Sequence, residues 1–268
     1  MAIPNMELSG KVALITGGSR GIGAAAVRMF TQAGARVVFN YEKAKDAAVR
    51  LAGECGAGHC HAVQASLDSV ESAKPLIDAT VKHFGRLDIL VGNHGIWPPE
   101  DMPVDEMTAE QWQRTMRVNL DSYFGLVKYS VAQMKKQAGP RPKNPDEYFA
   151  NGHIVLVSST AGQRGEALHC DYAATKGAVI SMVKGLSTEL VPFGIYVNCV
   201  APGWVVTDMT RETLADPKLG ERARRQIPMG RAAKPEEIAA CILFLCTPHA
   251  GFVTGEIFNA NGGAVLAG

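Results

Sequence analysis

The hydrophobic positions of this chain fall into short apolar runs that alternate with longer segments of helical periodicity. A short apolar run that ends at glycine or a polar turn is typical of a strand buried in a parallel sheet. Such runs predict strands at 11–16, 36–41, 59–65, 87–92, 153–158, 195–201 and 256–260. Because strands and helices alternate without repeats, we expect one α/β domain over residues 1–268, with helices on both faces of the sheet.

Two of the intervening segments predict long helices and two predict other structure. An amphipathic helix is expected at about 70–84, and a longer one from the N-cap residue Thr108 to about residue 137. The proline-rich segment 139–145 is typical of a surface loop. Residues 203–229 form a charged excursion after a strand, which suits a mobile lid over a substrate.

The amino-acid composition of the chain limits the kinds of partner that we expect it to bind. The chain has 268 residues, 27 basic and 26 acidic, with 47% hydrophobic and 20% charged residues. This is the balance of an ordinary soluble globular protein, and it gives no reason to expect nucleic acid or a membrane surface as partner. The N-terminus lacks the features of a signal peptide, and no apolar run reaches the roughly 20 residues that span a bilayer. We therefore expect a cytoplasmic protein.

Cysteine and histidine spacing predicts no metal site. The six cysteines lack the two-residue spacing typical of zinc motifs, and His59 and His61 share a strand face without a third ligand. Cys199 and Cys241 lie in apolar segments and are expected to be buried. Cys170 is expected to be partly exposed.

A glycine-rich turn joins the first strand to the first helix. Gly17, Gly21 and Gly23 have the spacing G-x-x-x-G-x-G between an apolar run and an alanine-rich helix. Backbone N–H groups at a helix start attract an anion, and missing side chains let a phosphate approach. The turn therefore predicts a nucleotide site, and a purely structural turn is the alternative.

The second strand indicates which nucleotide is favoured. An NAD site usually has an acidic residue at its end, where this chain has Asn40 and Tyr41. Arg20 in the glycine turn, with Lys43 and Lys45 nearby, would pair with a 2′-phosphate. NADP(H) is therefore favoured and NAD(H) stays open, because both lysines also suit the solvated face of a helix.

Tyr172 and Lys176 stand four residues apart and would share one helix face. An ammonium group there is expected to lower the pKa of the phenol below its usual value of about 10, giving a proton donor or acceptor usable near neutrality. Ser159 follows the fifth strand, at the edge of a parallel sheet where ligands lie.

Together these motifs resemble the short-chain dehydrogenase/reductase family over nearly the whole chain. The matching residues are Thr16, Gly17, Gly21, Gly23, Asn93, His94, Gly95, Asn119, Ser159, Tyr172, Lys176, Pro202, Gly203 and Thr207. The resemblance implies a single-domain Rossmann fold, a seven-stranded parallel sheet in the order 3-2-1-4-5-6-7, and a homotetramer.

The resemblance also implies roles for the site residues. Tyr172 would exchange a proton with the substrate oxygen, Ser159 would polarise the carbonyl, and Lys176 would hold the nicotinamide ribose. Asn119 would anchor a water that feeds protons through Lys176. The residues expected to bind the cofactor are Gly17, Ser19, Arg20, Gly21, Ile22, Gly23, Asn40, Tyr41, Ser66, Leu67, Asn93, His94, Gly95, Tyr172, Lys176, Pro202, Gly203, Val205 and Thr207.

The chain departs from the family pattern at three positions. Ser66 stands where an aspartate often holds the adenine amine in this family. His94 replaces the usual alanine with a ring large enough to reach the cofactor or the substrate pocket. The chain looks most like the 3-oxoacyl-[acyl-carrier-protein] reductases, but Phe193 replaces an arginine common there. Lys135 and Lys136 are then the basic candidates for contact with an acyl carrier protein.

The working hypothesis is an NADP(H)-dependent oxidoreductase acting on a ketone or secondary alcohol, with a 3-oxoacyl thioester as leading substrate. One alternative is the same chemistry on a sugar, a steroid or a small cyclic alcohol. Another is a non-catalytic NADP(H)-sensing protein, which would have no need of Asn119, Ser159, Tyr172 and Lys176 together.

Overall fold

Seven parallel strands form the centre of the molecule. The computed structural model describes residues 6–98, 100–144 and 146–266. The strands are β1 (Val12–Ile15), β2 (Arg36–Tyr41), β3 (Cys60–Gln64), β4 (Ile89–Gly92), β5 (Gly152–Val157), β6 (Ile195–Pro202) and β7 (Ile257–Ala260). They pair in the order β3-β2-β1-β4-β5-β6-β7, and every pairing is parallel. The α/β fold and strand order expected from the sequence are confirmed.

The helices cover both faces of this sheet. They are α1 (Gly21–Gln32), α2 (Lys45–Cys55), α3 (Ala73–Phe84), α4 (Ala109–Met116), α5 (Ser122–Lys136), α6 (Thr160–Arg164), α7 (Cys170–Leu190), α8 (Arg211–Ala215), α9 (Pro217–Arg225) and α10 (Pro235–Leu245). Alternate strand residues point to opposite faces. Ala13 and Ile15 therefore belong to a core with α1, α2 and α10, whereas Leu14 belongs to a second core with α3, α5 and α7.

The register of the strands aligns their carboxyl ends. Ile15 pairs with Val91, and Val91 pairs in turn with Val155. Val157 pairs with Val200 near the end of β6. The segments that follow β1, β4, β5 and β6 therefore leave the sheet at one edge, and these segments contain the predicted site residues.

Some element boundaries differ from those predicted. The expected long helix is interrupted by a π-helical turn, Arg117–Asp121, between α4 and α5, although the Thr108 hydroxyl does accept the N-cap bond from the Gln111 N–H. Helix α3 begins only at Ala73, because Ser69 and Ser72 hydrogen-bond each other in the preceding turn.

The remaining segments also show how far the sequence was correct. Residues 139–144 contain no helix or strand, as expected for a loop, and Pro145 lies outside the described residues. Cys199 is buried and Cys170 partly exposed as expected, but Cys241 is only partly buried. Across the described part of the chain, no helix is long and apolar enough to cross a bilayer.

Candidate active site

The glycine turn between β1 and α1 has the shape of an anion site. Gly17 and Gly21 have φ angles of +63° and +55°, which side chains rarely adopt. A Cβ atom at Gly23 would lie 2.2 Å from the Gly17 carbonyl oxygen. No side chain caps the start of α1, and its first turn has no acidic residue. The first N–H groups of the helix are therefore available to an anion such as a phosphate.

The side chains of Asn40 and Asn93 hold this turn in place through hydrogen bonds to its backbone. The Asn40 Oδ1 accepts a hydrogen bond from the Gly17 N–H at 2.9 Å, and its Nδ2 donates to the Ala65 carbonyl at 2.9 Å. The Asn93 Nδ2 donates to the Thr16 carbonyl at 3.0 Å. The Asn40 side chain is buried with both amide groups used, so it positions the turn rather than facing a ligand.

Five further residues that were expected to bind the cofactor differ from one another in burial. Tyr41 is buried in the core with α1 and α2, whereas Ser66 is exposed just beyond β3 and Leu67 is buried beside it. Ser19 and Ile22 are both partly buried in the glycine turn and the start of α1. Of this group, Ser66 has the exposed hydroxyl that a ligand could contact.

Arg20 is the basic side chain at the mouth of the turn. Its guanidinium is largely exposed and lies 3.8 Å from the Asp208 carboxylate. Asp208 also accepts a 2.6 Å hydrogen bond from Arg211. Lys43 and Lys45 are exposed near the start of α2. Arg20 is therefore placed to meet a phosphate, with Asp208 as its present partner.

Ser159 lies two residues past β5 and is the N-cap of α6. Its Oγ accepts a hydrogen bond from the Ala161 N–H at 3.1 Å. The Ser159 side chain also lies close enough to Tyr172 to lower the pKa of the phenol. The predicted serine and tyrosine therefore meet, although 13 positions separate them in the chain.

Tyr172 and Lys176 lie one turn apart on α7. The Lys176 Nζ is 5.6 Å from the centre of the Tyr172 ring and donates to the Val157 carbonyl at 2.9 Å. Lys176 is buried, and the loss of solvation lowers its pKa to about 8. The lysine is thus held between the end of β5 and the tyrosine.

The expected low pKa of Tyr172 is wrong for this structure. Burial raises the pKa of the phenol to about 12, and the nearby Ser159 side chain opposes this rise only in part. Desolvation disfavours the tyrosinate, and the negative charge of Glu166 adds to the rise. The phenol is therefore protonated at neutral pH and is a hydrogen-bond and proton donor.

Asn119 lies in the π-helical turn and is fully buried. Its Oδ1 accepts from the Ile96 N–H at 2.8 Å, and its Nδ2 donates to the Ile96 carbonyl at 2.9 Å. A Cβ atom at Gly95 would lie 3.2 Å from the Asn119 Oδ1 and 3.6 Å from the Lys176 Nζ. Asn119 therefore fixes the segment after β4 against the catalytic candidates on α7.

His94 is partly buried, and two hydroxyl groups hold its ring. Ser122 Oγ donates to the Val118 carbonyl at 2.7 Å, so it accepts from the His94 Nε2–H at 2.8 Å. The His94 Nδ1 is then the acceptor for the Thr16 hydroxyl at 2.9 Å. Burial, with a smaller effect from Lys176, lowers the His94 pKa to about 3. Both ring nitrogens are used within the protein by a neutral imidazole.

The segment after β6 approaches the glycine turn. Gly203 N–H donates to the Ala260 carbonyl at 3.2 Å, and Val205 is buried next to Ala233. A Cβ atom at Gly21 would lie 3.2 Å from the Thr207 methyl group. The segment 202–207 therefore lies beside the glycine turn, with Thr207 against Gly21.

Two residues near Tyr172, Asp171 and His169, were missed from the sequence, and Trp97, expected only as a wall of an apolar pocket, contacts Tyr172 as well. Buried Asp171 accepts from the Tyr172 N–H at 2.8 Å and from the Thr115 hydroxyl at 2.8 Å, tying the start of α7 to α4. The Trp97 ring lies 4.7 Å from the Tyr172 ring and 4.0 Å from the His169 ring. An acidic residue in a helix's first turn signals Asp171, but no sequence pattern signals the aromatic contacts.

The described ranges 6–98, 100–144 and 146–266 contain no group of three or more histidine, cysteine or acidic side chains that could hold a metal ion. The candidate site consists of hydroxyl, amine and amide groups beside a glycine turn whose shape suits a phosphate. Such a set can bind a dinucleotide, polarise a carbonyl oxygen and move one proton.

The chain is similar to known proteins over nearly its whole length. Residues 17–265 match the family model described as enoyl-(acyl carrier protein) reductase. A 3-oxoacyl-[acyl-carrier-protein] reductase of Synechocystis sp. is 37% identical, covering 97% of this chain and 98% of the relative. An L-rhamnose 1-dehydrogenase (NAD(P)(+)) of Azotobacter vinelandii is 34% identical, covering 96% and 98%.

A solved structure is similar over the same extent. It is a Brucella melitensis protein titled short-chain dehydrogenase/reductase SDR: glucose/ribitol dehydrogenase. The two chains are 33% identical with a TM-score of 0.85, and the match covers 97% of this chain and 99% of that one.

Proposed function

Because the chain belongs to the short-chain dehydrogenase/reductase family, we propose that it is an NADP(H)-dependent oxidoreductase that interconverts a ketone and a secondary alcohol. The observation that carries the proposal is the meeting of Ser159, Tyr172 and Lys176 at the carboxyl edge of the sheet. The proposed substrate is a 3-oxoacyl thioester, free or on an acyl carrier protein, in keeping with the name of the Synechocystis relative.

The residues around the glycine turn fit a nicotinamide dinucleotide. The uncapped start of α1 suits the pyrophosphate, and the exposed Arg20 suits a 2′-phosphate. Lys176 would hold the nicotinamide ribose, and Thr207 with the Val205 backbone would bind the carboxamide. When bound, the cofactor supplies the hydride.

Tyr172 and Ser159 would act on the substrate oxygen. In the reduction, Ser159 donates a hydrogen bond to the ketone oxygen and increases its polarisation. Tyr172, protonated because its pKa is about 12, gives its proton to that oxygen as the carbon becomes tetrahedral. The oxidation uses the same groups in reverse, with Tyr172 accepting the hydroxyl proton.

Lys176 and Asn119 would support this proton transfer. A tyrosinate forms when the phenol loses its proton, and the ammonium of Lys176, 5.6 Å from the ring centre, favours that anion. Asn119 keeps Gly95 and Ile96 beside Lys176 through its two bonds to Ile96. We propose that a water bound at this point returns a proton through Lys176.

The excursion 203–229 would cover the substrate. It contains α8 and α9, and its exposed apolar residues include Val206, Met209 and Met229. Such side chains on a segment beside the cleft suit contact with an acyl chain. Closure of the segment would exclude water from the reacting carbon.

A sugar or polyol is the second candidate substrate. The L-rhamnose 1-dehydrogenase relative and the structure titled glucose/ribitol dehydrogenase cover nearly the whole chain at similar identity. A steroid or small cyclic alcohol would require the same proton transfer at Tyr172 and is tested in the same screen.

The test is a substrate screen with purified protein. Acetoacetyl thioesters, aldoses, polyols, steroids and cyclic ketones are offered with NADPH or NADP+, and the change in NADPH absorbance is followed. We expect the highest kcat/KM with a 3-oxoacyl thioester. Tight NADPH binding without turnover of any substrate would instead indicate a cofactor-sensing protein.

Replacing Tyr172 tests the proposed proton donor. Tyr172→Phe should lower kcat by about 10²–10⁴-fold, because the proton is lost while the ring shape is kept. NADPH affinity, measured by fluorescence titration, should change by less than about twofold. Tyr129→Phe on α5 is the matched control. Near-normal turnover of Tyr172→Phe would remove Tyr172 from the mechanism.

A further inference from the structure

One short segment has a strong excess of basic over acidic residues. Residues 217–231 contain five basic residues and one acidic residue, whereas the rest of the chain has 22 basic and 25 acidic residues. This segment includes α9 and the turn that follows it. A nearly neutral protein therefore has a strongly basic region on an otherwise slightly acidic surface.

The cations of α9 lie on its exposed side. Gly220 and Ala223 face inward and are buried, while Lys218, Arg222, Arg224 and Arg225 are exposed. Arg225 is paired with Glu221 at 2.6 Å. In the described part of the chain, no ion pair joins Lys218, Arg222 or Arg224 to a carboxylate.

A shallow concavity lies along this row of cations. It has a volume of about 340 Å³ and is lined by Lys218, Glu221, Arg222, Arg225 and Gln226. Leu219, next to it on the helix, is about half exposed. The surface therefore combines unpaired positive charge with an exposed apolar side chain, a combination typical of protein interfaces.

Both ends of the segment that contains α9 are anchored at the substrate edge of the sheet. At the start, Asp208 lies 3.8 Å from Arg20 of the glycine turn. At the end, the Met229 N–H donates to the carbonyl of Gly262, just past β7, at 3.2 Å. Helix α9 is thus carried by the proposed lid, next to the opening through which a substrate would enter.

We propose that Lys218, Arg222 and Arg225, the cations that line this concavity, form a docking surface for a small acidic carrier protein that presents the acyl chain as a thioester. This inference rests on the proposed thioester substrate and names the partner that would deliver it. The partner's carboxylates would meet the cations of α9, and its acyl arm would enter beneath the lid. Long-range attraction would steer the encounter and raise the association rate.

The spacing of the cations favours a protein over a single phosphate group. Lys218 and Arg225 are seven residues apart, which is about 10 Å along a helix. A phosphate site needs donors that converge on one point, whereas a row of this length matches several carboxylates on another surface. The nearly zero net charge of the whole chain argues against nucleic acid.

The alternative basic surface on α5 is less suited to this role. The Lys135 ammonium lies 3.6 Å from the centre of the Phe193 ring, a cation–π contact within the protein. This leaves Lys136 as the free cation of the pair named from the sequence. A single exposed lysine gives little steering compared with the row on α9.

Charge reversal on α9 tests the docking surface. The double variant Lys218→Glu/Arg222→Glu is assayed with NADPH and three substrates: acetoacetyl thioesters of an acyl carrier protein, of coenzyme A and of N-acetylcysteamine. We expect the ratio of kcat/KM for the carrier-bound substrate to that for the N-acetylcysteamine thioester to fall about tenfold, mainly through KM. Added salt should lower the wild-type ratio and leave that of the variant nearly unchanged.

Two controls separate a local effect from a general one. Lys74→Glu/Lys82→Glu makes the same change of charge on α3 and should leave the ratio within about twofold of wild type. Lys136→Glu tests the α5 surface and should also leave it unchanged. Circular dichroism and NADPH affinity confirm that each variant is folded.

The possible outcomes distinguish a failure of the proposed docking surface from a failure of the proposed substrate. A wild-type enzyme that reduces all three thioesters, with the ratio unchanged in the α9 variant, would overturn the surface alone. A loss confined to the coenzyme A thioester, or an equal loss in the α3 or α5 variants, would overturn it as well. A wild-type enzyme that reduces no thioester would contradict the proposed substrate and the carrier with it.

Discussion

Arg20 and Asp208 place opposite charges on the two sides of the cofactor cleft. The guanidinium in the glycine turn lies 3.8 Å from the Asp208 carboxylate, which Arg211 also binds. A 2′-phosphate would compete with Asp208 for the same guanidinium, because both anions need its exposed N–H groups. The proposed preference for NADP(H) would then depend on Asp208 of the proposed lid as well as on the glycine turn.

Variants of this pair measure that competition. Arg20→Ala should weaken NADPH binding about tenfold and NADH binding less than twofold, since only NADPH has the phosphate. Asp208→Asn should tighten NADPH binding about two- to threefold, as expected for release of an exposed ion pair. Dissociation constants from fluorescence titration give both values.

The double variant is the control for the Arg20 and Asp208 prediction. In an Arg20→Ala background, Asp208→Asn should leave NADPH affinity unchanged, because the guanidinium is gone. Equal losses of NADPH and NADH in Arg20→Ala would contradict the 2′-phosphate role. A similar gain from Asp208→Asn with and without Arg20 would contradict the competition.

Helices α6 and α7 approach so closely that a glycine is needed between them. A Cβ atom at Gly162 of α6 would lie 2.5 Å from the Lys176 carbonyl carbon of α7. That contact is with backbone, so one of the helices would have to move. Because Ser159 caps α6 while Tyr172 and Lys176 lie on α7, the packing of these helices sets the distances within the site.

Gly162→Ala should therefore impair both stability and activity. We expect the free energy of unfolding to fall by about 1–3 kcal/mol and kcat by at least about tenfold. Urea unfolding and steady-state kinetics provide the measurements. Gly177→Ala is the matched control across the same contact, because its Cβ would lie at an ordinary 3.4 Å from the Gly162 oxygen. Full activity in Gly162→Ala would show that the helix spacing does not govern catalysis.

Buried neutral histidines make the stability of the whole molecule depend on pH. Burial lowers the pKa of His94 to about 3 and that of His153 to about 4, from an ordinary value near 6.5. The unfolded chain binds protons at these positions below pH of about 6.5, where the folded chain does not. Stability is therefore fully present above that pH and is lost as the pH falls toward the folded pKa values.

Urea unfolding at several pH values tests this linkage. Between pH of about 7 and 5, the free energy of unfolding should fall by about 2 kcal/mol for each histidine. His153→Gln should remove about half of the fall, because glutamine does not titrate. A wild-type stability that is constant over this range, or a variant with the same slope, would contradict the assignment.

Exposed aromatic side chains on α4 and α5 indicate how copies of the chain would assemble. Trp112 on α4 and Phe124 on α5 are 40% and 51% exposed, an unusual exposure for large aromatic residues that suits burial between subunits. We expect a homotetramer by light scattering, and a smaller species for Phe124→Lys. A wild-type monomer at micromolar concentration would contradict the proposal.

The sequence by itself determined the features that depend on local pattern. Short apolar runs predicted all seven strands because a strand buried on both faces of a parallel sheet is mostly apolar, and the glycine turn was visible because glycine is the residue that readily adopts its φ angles. The four-residue spacing of Tyr172 and Lys176 likewise predicts one helix face, which α7 provides.

The tertiary structure decided what depends on burial and on distant contacts. The Tyr172 pKa rises because the fold partly shields the phenol from water, and the local sequence predicted the opposite direction. Asn40 turns inward because its amide meets Gly17 and Ala65, which lie more than 20 positions away on either side. Spacing along a chain fixes which residues share an element, but desolvation and partners arise only when the elements pack together.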